Sequence, residues 1–314
     1  MNSRALCIET ARRLAIKQCE APEPGAGQVR VRLQGCGVCA SNLPVWEGRP
    51  WFNYPMELGS PGHEGWGVID AVGADVPDFE VGERVAMLST HAYAQHDIAT
   101  THELFRIPAE WGDEPFPGEP LACAMNSFRR SEIRAGQRVA IVGIGFLGAI
   151  LTRLCVRAGA DVIALSRRGF ALETAAKFGA RQLVSLTDTR ALGQLSGACE
   201  RVIECVGSQQ ALDVASDLTA TGGRLVIAGY HQDGDRRIDL QKWNWRGLDV
   251  VNAHERDPAA YLRGMREALA LGLSGELEIS AFFTHQFPLA DAAAAFETLA
   301  LRPDGFLKAL LICH

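Results

Sequence analysis

The segment VAIVGIGFLGAI constrains the fold more than any other part of this sequence. It carries three glycines in the pattern G-x-G-x-x-G, directly after an apolar run and at the opening of a helical one. Gly143 permits a tight turn, Gly145 lets backbone amides approach a pyrophosphate, and Gly148 allows helix and strand to pack closely. An alternative is that the glycines form only a turn. The placement favours a dinucleotide cradle, to which we assign Gly143, Gly145, Phe146, Leu147 and Gly148.

The rest of the chain shows two different patterns of apolar and polar residues. Downstream of the cradle, apolar runs such as DVIALS and GRLVIAG alternate with helical stretches, which is typical of βαβ units and a parallel sheet. Upstream, short strands such as QVRVRLQG alternate apolar and basic residues between glycines and prolines. A length of 314 residues also suits two domains of about 100 to 200 residues each. The sequence therefore predicts an α/β protein with a β-rich domain and a doubly wound domain.

The strand that follows the cradle ends in ALSRRG. An NAD-binding domain carries an acidic residue at this position for the ribose hydroxyls, whereas here Ser166 is followed by Arg167 and Arg168. A carboxylate would repel a 2′-phosphate, but a hydroxyl and two guanidiniums can bind it through charge-assisted hydrogen bonds. These residues favour NADP(H) over NAD(H) as the cofactor. The alternative is a pair of solvated arginines near a strand end.

Composition limits the partners and the compartment. A formal net charge of −6 argues against a nucleic-acid or anionic-membrane partner and suits a small-molecule substrate. The first residues show no apolar leader, and no stretch reaches the roughly 18 consecutive apolar residues of a membrane span. Nine cysteines, an odd number, do not resemble a secreted disulfide framework. We therefore expect a cytoplasmic protein without a membrane partner.

Two cysteines, Cys36 and Cys39, have the spacing C-x-x-C just past an alternating strand. They could belong to a zinc ribbon, form a redox dithiol, or deliver one cysteine to a metal. A ribbon needs a second Cys/His pair at ribbon spacing, which the sequence does not contain. A redox dithiol prefers the turn before a helix in a βαβ unit, and this pair follows a β-rich stretch.

Several motifs occur together in a characteristic order: GVCASN, GHEGWGVIDAVG, VGERV, EPLACA and VGIGFLG. Over nearly its whole length the chain resembles the alcohol and polyol dehydrogenases of the zinc-dependent medium-chain dehydrogenase/reductase superfamily. The resemblance implies a GroES-like catalytic domain formed by residues 1–121 and 255–314. It also implies an inserted Rossmann domain over residues 122–254.

The resemblance also implies a catalytic metal site. It makes Cys39 the thiolate ligand of zinc and His63 the imidazole ligand, and it places Glu119 where relatives have a cysteine or glutamate ligand. Glu64 matches a glutamate that ligates directly or acts from beside the ligands, and Ser41 matches a hydroxyl that passes on the proton of the substrate alcohol. Zinc binds sulfur, imidazole nitrogen and carboxylate oxygen, in agreement with this set. Cys39 is then the functional cysteine and Cys36 a buried one.

Departures from the family pattern have consequences of their own. The lobe of four cysteines that holds a structural zinc in many relatives is replaced by a short segment without cysteine, so one zinc per chain is expected. Asn42 stands where relatives have an aspartate, which removes a charge near a zinc ligand. Pro44 lies near the position of a relay histidine in many relatives, and the route of proton export is open.

The resemblance adds further cofactor contacts and a quaternary structure. Val206 follows a strand on the adenosine side, Gly229 lies beside the nicotinamide ribose, Asn252 belongs to the segment that holds the carboxamide, and Lys308 reaches the pyrophosphate. For Val206 and Lys308, a buried strand end and a surface lysine are the alternatives. The segment LDVVNA matches an edge that pairs in family dimers, so we expect a homodimer.

The expected function is hydride transfer between NADP(H) and an alcohol or carbonyl compound, assisted by zinc. The substrate could be a secondary alcohol, a polyol, a cyclitol or an aldehyde. Two alternatives stay open from the sequence: a zinc-free medium-chain reductase of activated alkenes or quinones, and a non-catalytic NADPH-binding protein.

Overall fold

The computed structural model describes residues 1–313, which form two compact units. The first unit comprises Met1–Ala122 and the chain from Asp257 onward, and the second comprises Cys123–Arg256. The strands are β1 (Asn2–Thr10), β2 (Arg13–Glu20), β3 (Gln28–Val38), β4 (Gly65–Val72), β5 (Arg84–Met87), β6 (His96–Thr100), β7 (Leu104–Arg106), β8 (Arg138–Val142), β9 (Asp161–Ser166), β10 (Gln182–Ser185), β11 (Cys199–Glu204), β12 (Thr219–Ile227), β13 (Asp249–Asn252), β14 (His285–Pro288) and β15 (Ala309–Ile312). The helices are α1 (Leu43–Glu47), α2 (Gly118–Ser131), α3 (Phe146–Arg157), α4 (Gly169–Lys177), α5 (Thr189–Gln194), α6 (Gln209–Leu218), α7 (Leu240–Arg246), α8 (Pro258–Leu273) and α9 (Ala292–Leu301). Within the described residues, no helix combines the length and apolarity needed to cross a bilayer.

The first unit is built on a mostly antiparallel sheet. Its strand order is β14-β15-β3-β4-β5-β7, and β6 also pairs with β3. Val29, Val31 and Leu33 of β3 are buried, as the alternating pattern predicts. Arg30 between them is also buried. Its charge is compensated there, since its Nε donates to Asp70 Oδ1 at 2.8 Å. At its far end, residues 35–38 pair with β15 and Cys36 pairs with Gly65 of β4, so β3 lies between two strands where it leads into the cysteine loop.

The second unit contains a parallel sheet of order β10-β9-β8-β11-β12-β13. This is the doubly wound arrangement, in which ligands bind beyond the carboxyl ends of the strands. The turns that follow the strands therefore share one edge of the sheet. At this edge lie the glycine cradle after β8, Ser166 at the end of β9, Val206 after β11, Gly229 after β12 and Asn252 at the end of β13.

Candidate active site

A turn between β3 and α1 presents the first candidate metal ligand. Cys39 has an extended backbone and opens a single 3-10 turn over Ala40–Asn42, which contains the half-buried Ser41. His63 and Glu64 directly precede β4, and β4 pairs antiparallel with β3. This pairing brings the two segments together. The ligand atoms of Cys39, His63 and Glu64 all lie within 4.8 Å of one another.

The imidazole of His63 lies between a backbone acceptor and acidic groups. Its Nδ1 donates to the carbonyl of Pro61 at 2.8 Å, which leaves Nε2 as the nitrogen for a metal. Burial by itself lowers the pKa of His63. The hydrogen bond to Cys39 and its charge, followed by the charges of Glu119 and Glu64, outweigh burial and raise that pKa to about 10. The surroundings of this nitrogen therefore favour a bound cation.

The carboxylate of Glu64 is fully buried and keeps acceptor capacity for another partner. Lys308 Nζ lies 2.7 Å from both of its oxygens. Only Oε1 receives a well-directed hydrogen bond, and Oε2 accepts none from the part of the chain that the structure describes. A buried acceptor of this kind beside a thiol and an imidazole matches the donor set that zinc prefers. These residues therefore fit a zinc ion.

Lys308 is buried and pairs with Glu64. It is 4% exposed, and besides the pairing with Glu64 its Nζ lies 3.5 Å from the carbonyl oxygen of Val38. Burial lowers the pKa of Lys308, but the charges of Glu64 and Cys39 more than offset burial and raise it. Gly37 makes room for the pair, since a Cβ there would lie 1.8 Å from Glu64 Oε2. The ammonium is thus engaged with Glu64, and its contact with a pyrophosphate stays a prediction.

Glu119 lies in the first turn of α2 and is half-buried. Its charge acts on the ionisation of both His63 and Lys308, so it belongs to the same electrostatic environment. Within residues 1–313, however, the group of mutually close ligand atoms contains Glu64 and not Glu119. The geometry therefore favours Glu64 as the carboxylate ligand, and a direct bond from Glu119 stays a prediction.

Behind the candidate ligands lies a hydrogen-bond chain that the sequence did not predict. The hydroxyl of Tyr93 donates to Asn42 Oδ1 at 2.8 Å, and Asn42 Nδ2 donates to the carbonyl of Pro61 at 3.2 Å. That same carbonyl accepts Nδ1–H of His63. The departure at Asn42 was visible in the sequence. Nothing in the segment HAYAQ singles out Tyr93.

The glycine cradle of the second unit forms a tight turn that leads into α3. Gly143 has φ 97°, a conformation that favours glycine. A Cβ at Gly148 would lie 2.0 Å from the carbonyl oxygen of Gly143, so helix and turn pack without room for a side chain. Gly145 caps α3, and a Cβ there would meet no heavy atom within 4 Å. The start of α3, which includes Phe146 and Leu147, is therefore open to an anion.

The end of β9 presents a basic turn. Ser166 Oγ accepts the backbone amide of Arg168 at 3.2 Å, which shapes the turn and leaves the hydroxyl hydrogen for donation. Arg167 is exposed, and the guanidinium of Arg168 lies 6.0 Å from the ring centre of Phe170. A hydroxyl and two guanidiniums are thus brought to one turn at the cofactor edge of the sheet.

A buried glutamate organises the neighbouring turn. Glu204 Oε1 accepts the amides of Val206 and Gly207 at 2.7 and 2.8 Å, while Oε2 lies 3.0 Å from His231 Nε2. A Cβ at Gly229 would lie 2.6 Å from Glu204 Oε2. The carboxylate holds Val206, and the backbone carbonyl of Glu204 accepts the Gly229 amide at 2.7 Å, so these two predicted cofactor contacts lie beside each other. Glu204 is the acidic residue that ends the apolar run RVIE, and this feature of the sequence could have indicated its role. The sequence analysis did not predict it.

Comparison with known families agrees with both halves of this description. Residues 25–112 match the alcohol dehydrogenase GroES-like domain, and residues 147–269 match the zinc-binding dehydrogenase domain. The chain belongs to the zinc-dependent medium-chain dehydrogenases. The fold class expected from the sequence is therefore confirmed.

Two relatives of this medium-chain dehydrogenase are named for polyhydroxylated compounds. The 2-dehydro-3-deoxy-L-galactonate 5-dehydrogenase of Pseudoalteromonas atlantica is 26% identical, over 93% of this chain and 93% of its own. Sorbitol dehydrogenase of Homo sapiens is 24% identical, over 99% of this chain and 96% of its own. A zinc-binding dehydrogenase of Sinorhizobium meliloti, solved with NADP, superimposes with a TM-score of 0.85 at 24% identity and covers 99% of both chains.

These relatives decide between the broad functional classes that the sequence left open. The medium-chain dehydrogenase described here is an enzyme of the alcohol and polyol dehydrogenase group. A non-catalytic cofactor-binding role is not supported. The identity of the metal, the choice of cofactor and the substrate belong to the proposal that follows.

Proposed function

We propose that this enzyme is a zinc-dependent, NADP(H)-linked dehydrogenase that interconverts a secondary hydroxyl of a polyol or sugar-derived acid with the corresponding carbonyl. The observation that carries the proposal is the cluster of Cys39, His63 and Glu64, whose ligand atoms lie within 4.8 Å of one another. Relatives named for sorbitol and for a sugar acid support a polyhydroxylated substrate. One zinc per chain is expected at this cluster.

The residues of this chain have distinct tasks in that reaction. When bound, zinc supplies a Lewis acid for the substrate oxygen, and NADP(H) supplies or accepts the hydride. Cys39, His63 and Glu64 hold the metal, and Lys308 compensates the buried charge of Glu64. Ser41, two residues beyond Cys39, relays the hydroxyl proton during oxidation: Oγ accepts it while the hydrogen of Ser41 passes on to water, and both transfers reverse during reduction.

The preference for NADP(H) is assigned to the basic turn after β9. Position 166 holds a serine, so no carboxylate there repels a 2′-phosphate. Arg167 and Arg168 add two positive charges. The hydroxyl of Ser166 donates its hydrogen to a phosphate oxygen in this proposal. The cradle of Gly143, Gly145 and Gly148 holds the pyrophosphate by backbone amides at the start of α3.

Replacing both Arg167 and Arg168 by alanine is expected to weaken NADPH binding by about 10- to 100-fold, because each charge-assisted hydrogen bond contributes about 1.5 to 3 kcal/mol before exposure is discounted. NADH binding should change little, since NADH lacks the phosphate. Dissociation constants from cofactor fluorescence at physiological ionic strength measure both. Arg134→Ala, an exposed change just before β8 at the opposite edge of the sheet, is the control. Equal or tighter binding of NADH by the unchanged protein contradicts the assignment.

The proposed reaction is tested by an NADPH-oxidation screen with the zinc-loaded protein. Ketoses, keto sugar acids and cyclitol ketones form the main panel, with aromatic aldehydes, quinones and activated alkenes beside them. We expect turnover with one of the polyhydroxylated ketones, and loss of that turnover after chelation with recovery on adding zinc. Turnover of a quinone or alkene that survives complete zinc removal supports the zinc-free reductase instead.

A homodimer is expected from the edge of the second sheet. β13 pairs only with β12 in the described sheet, so its outer backbone groups face away from the sheet. An edge of this kind suits a symmetric partner strand from a second copy. Light scattering at micromolar concentration should give twice the chain mass of 34.0 kDa. A mass of one chain contradicts this expectation.

A further inference from the structure

The hydroxyl of Tyr93 is held rigidly behind the candidate metal ligands. Tyr93 is fully buried, and its backbone donates to Gly59 and accepts from Leu6. Its ring packs edge-on against Phe296, with ring centres 5.9 Å apart. The position of the hydroxyl is therefore set by the core of the first unit and not by the metal loop. From there it donates to Asn42 Oδ1 at 2.8 Å, and the carbonyl oxygen of Gly37 is a more distant acceptor at 3.3 Å.

The Tyr93 hydroxyl and the Pro61 carbonyl together fix which way the Asn42 amide faces. Because Oδ1 accepts from Tyr93, the NH₂ group must lie on the other side of the amide, where it donates to the Pro61 carbonyl at 3.2 Å. A rotated amide would place Oδ1 against the Pro61 oxygen, where two acceptors would meet. Deleting the Tyr93 hydroxyl removes the donor that holds Oδ1 on the other side. Asn42 is 3% exposed, so water is poorly placed to relieve that contact.

The Pro61 carbonyl is shared between this amide and His63. It accepts Nδ1–H of His63 at 2.8 Å, which fixes the tautomer and the ring orientation. Any rearrangement of Asn42 acts on the position of this oxygen and so on the direction of His63 Nε2. An aspartate at position 42 could still accept from Tyr93, but it could not donate to Pro61.

We propose that Tyr93 is a positioning residue for the metal ligand His63, acting through the Asn42 amide and the Pro61 carbonyl. The inference rests on the proposed metal site. It adds a residue outside the set of candidate metal ligands and gives a specific reason for the amide at position 42. Tyr93→Phe keeps the ring packing and deletes only the hydroxyl. Asn42→Asp keeps the shape and deletes only the donor to Pro61.

The test measures zinc affinity by competition with a chromophoric chelator, and the visible absorption of the cobalt-substituted protein. The metal-free unfolding midpoint of each variant is measured in parallel. Tyr93→Phe and Asn42→Asp are each expected to weaken zinc binding by about 10- to 100-fold and to shift the cobalt bands, as outer partners of metal-bound histidines do. Tyr54→Phe is the matched control. The Tyr54 hydroxyl also donates to a backbone carbonyl, that of Val45, but it lies outside this hydrogen-bond chain.

The outcomes separate the inference from the proposed function. If the unchanged protein takes up no zinc, the proposed metal site is wrong and the role of Tyr93 falls with it. If it binds zinc and Tyr93→Phe and Asn42→Asp bind as tightly as Tyr54→Phe, only the positioning role is overturned. A lower unfolding midpoint with unchanged zinc affinity and unchanged cobalt bands also overturns it, because that pattern marks a purely structural residue. Should Tyr93→Phe fail to fold, Asn42→Asp alone decides.

Discussion

Serine in place of Cys39 is expected to yield a protein that holds almost no zinc and shows no measurable turnover. A thiolate binds zinc far better than a serine hydroxyl, which stays protonated at neutral pH. We expect zinc affinity to fall by at least about 100-fold, since even the outer partners of a ligand contribute about 10- to 100-fold. Metal content after gel filtration and NADPH oxidation with the best substrate of the screen measure the two effects.

The matched control is the same substitution three residues earlier. Cys36 is fully buried in β3, where burial and then the charge of Glu64 hold the pKa of its thiol well above the ordinary value. Its sulfur donates weakly to the carbonyl of Gly37 at 3.4 Å, a contact that a serine hydroxyl can replace. Cys36→Ser should therefore keep zinc and turnover. Equal loss of zinc from both variants would show that the two cysteines bind the metal together.

Removing the ammonium of Lys308 is the second change with a large expected effect. Lys308→Met leaves the fully buried carboxylate of Glu64 without its compensating charge. Breaking a buried ion pair by deleting one partner costs about 3 to 5 kcal/mol, and we expect a loss of this size in the free energy of unfolding. Urea unfolding of the metal-free protein measures it without a contribution from zinc.

A double variant provides the control for this prediction. Glu64→Leu combined with Lys308→Met replaces both charges by apolar side chains, and such replacements are often neutral for stability. The double variant should therefore be more stable than Lys308→Met alone, although it loses a candidate zinc ligand. The free energy of unfolding of Lys308→Met could instead lie within about 0.5 kcal/mol of that of the unchanged protein, as for a surface substitution. In that case the ion pair contributes little to stability, and the burial of Glu64 needs another explanation.

Local patterns predicted the second unit well. The glycine cradle is encoded within a few residues, because the apolar run, the glycines and the following helix are adjacent in sequence. The turn at Ser166 is local in the same way. The metal cluster differs, since Cys39 and His63 meet only through the pairing of β3 with β4. No short window contains that pairing, and only the resemblance to a family indicated it.

Contacts between distant residues escaped prediction for the same reason. Lys308 and Glu64 are 244 positions apart, and Tyr93 and Asn42 are 51 positions apart. A lysine near a terminal strand looks solvated in sequence, and a tyrosine between alanines looks like core. Their partners become visible only when β15 and the loop before β6 are placed beside β3. Glu204 is similar, because an acidic strand end gives no sign that it is fully buried.

The pairing of β15 with β3 also bears on the order in which the protein is made. Residues 123–256 emerge from the ribosome, at about 5 to 20 residues per second, before any part of β15 exists. A nascent chain that ends at Arg256 therefore carries all the strands of its parallel sheet. At that point β3 still lacks its pairing with β15, and Glu64 lacks its pairing with Lys308. The support of the candidate metal loop is thus completed by Lys308, which is translated 244 positions after Glu64.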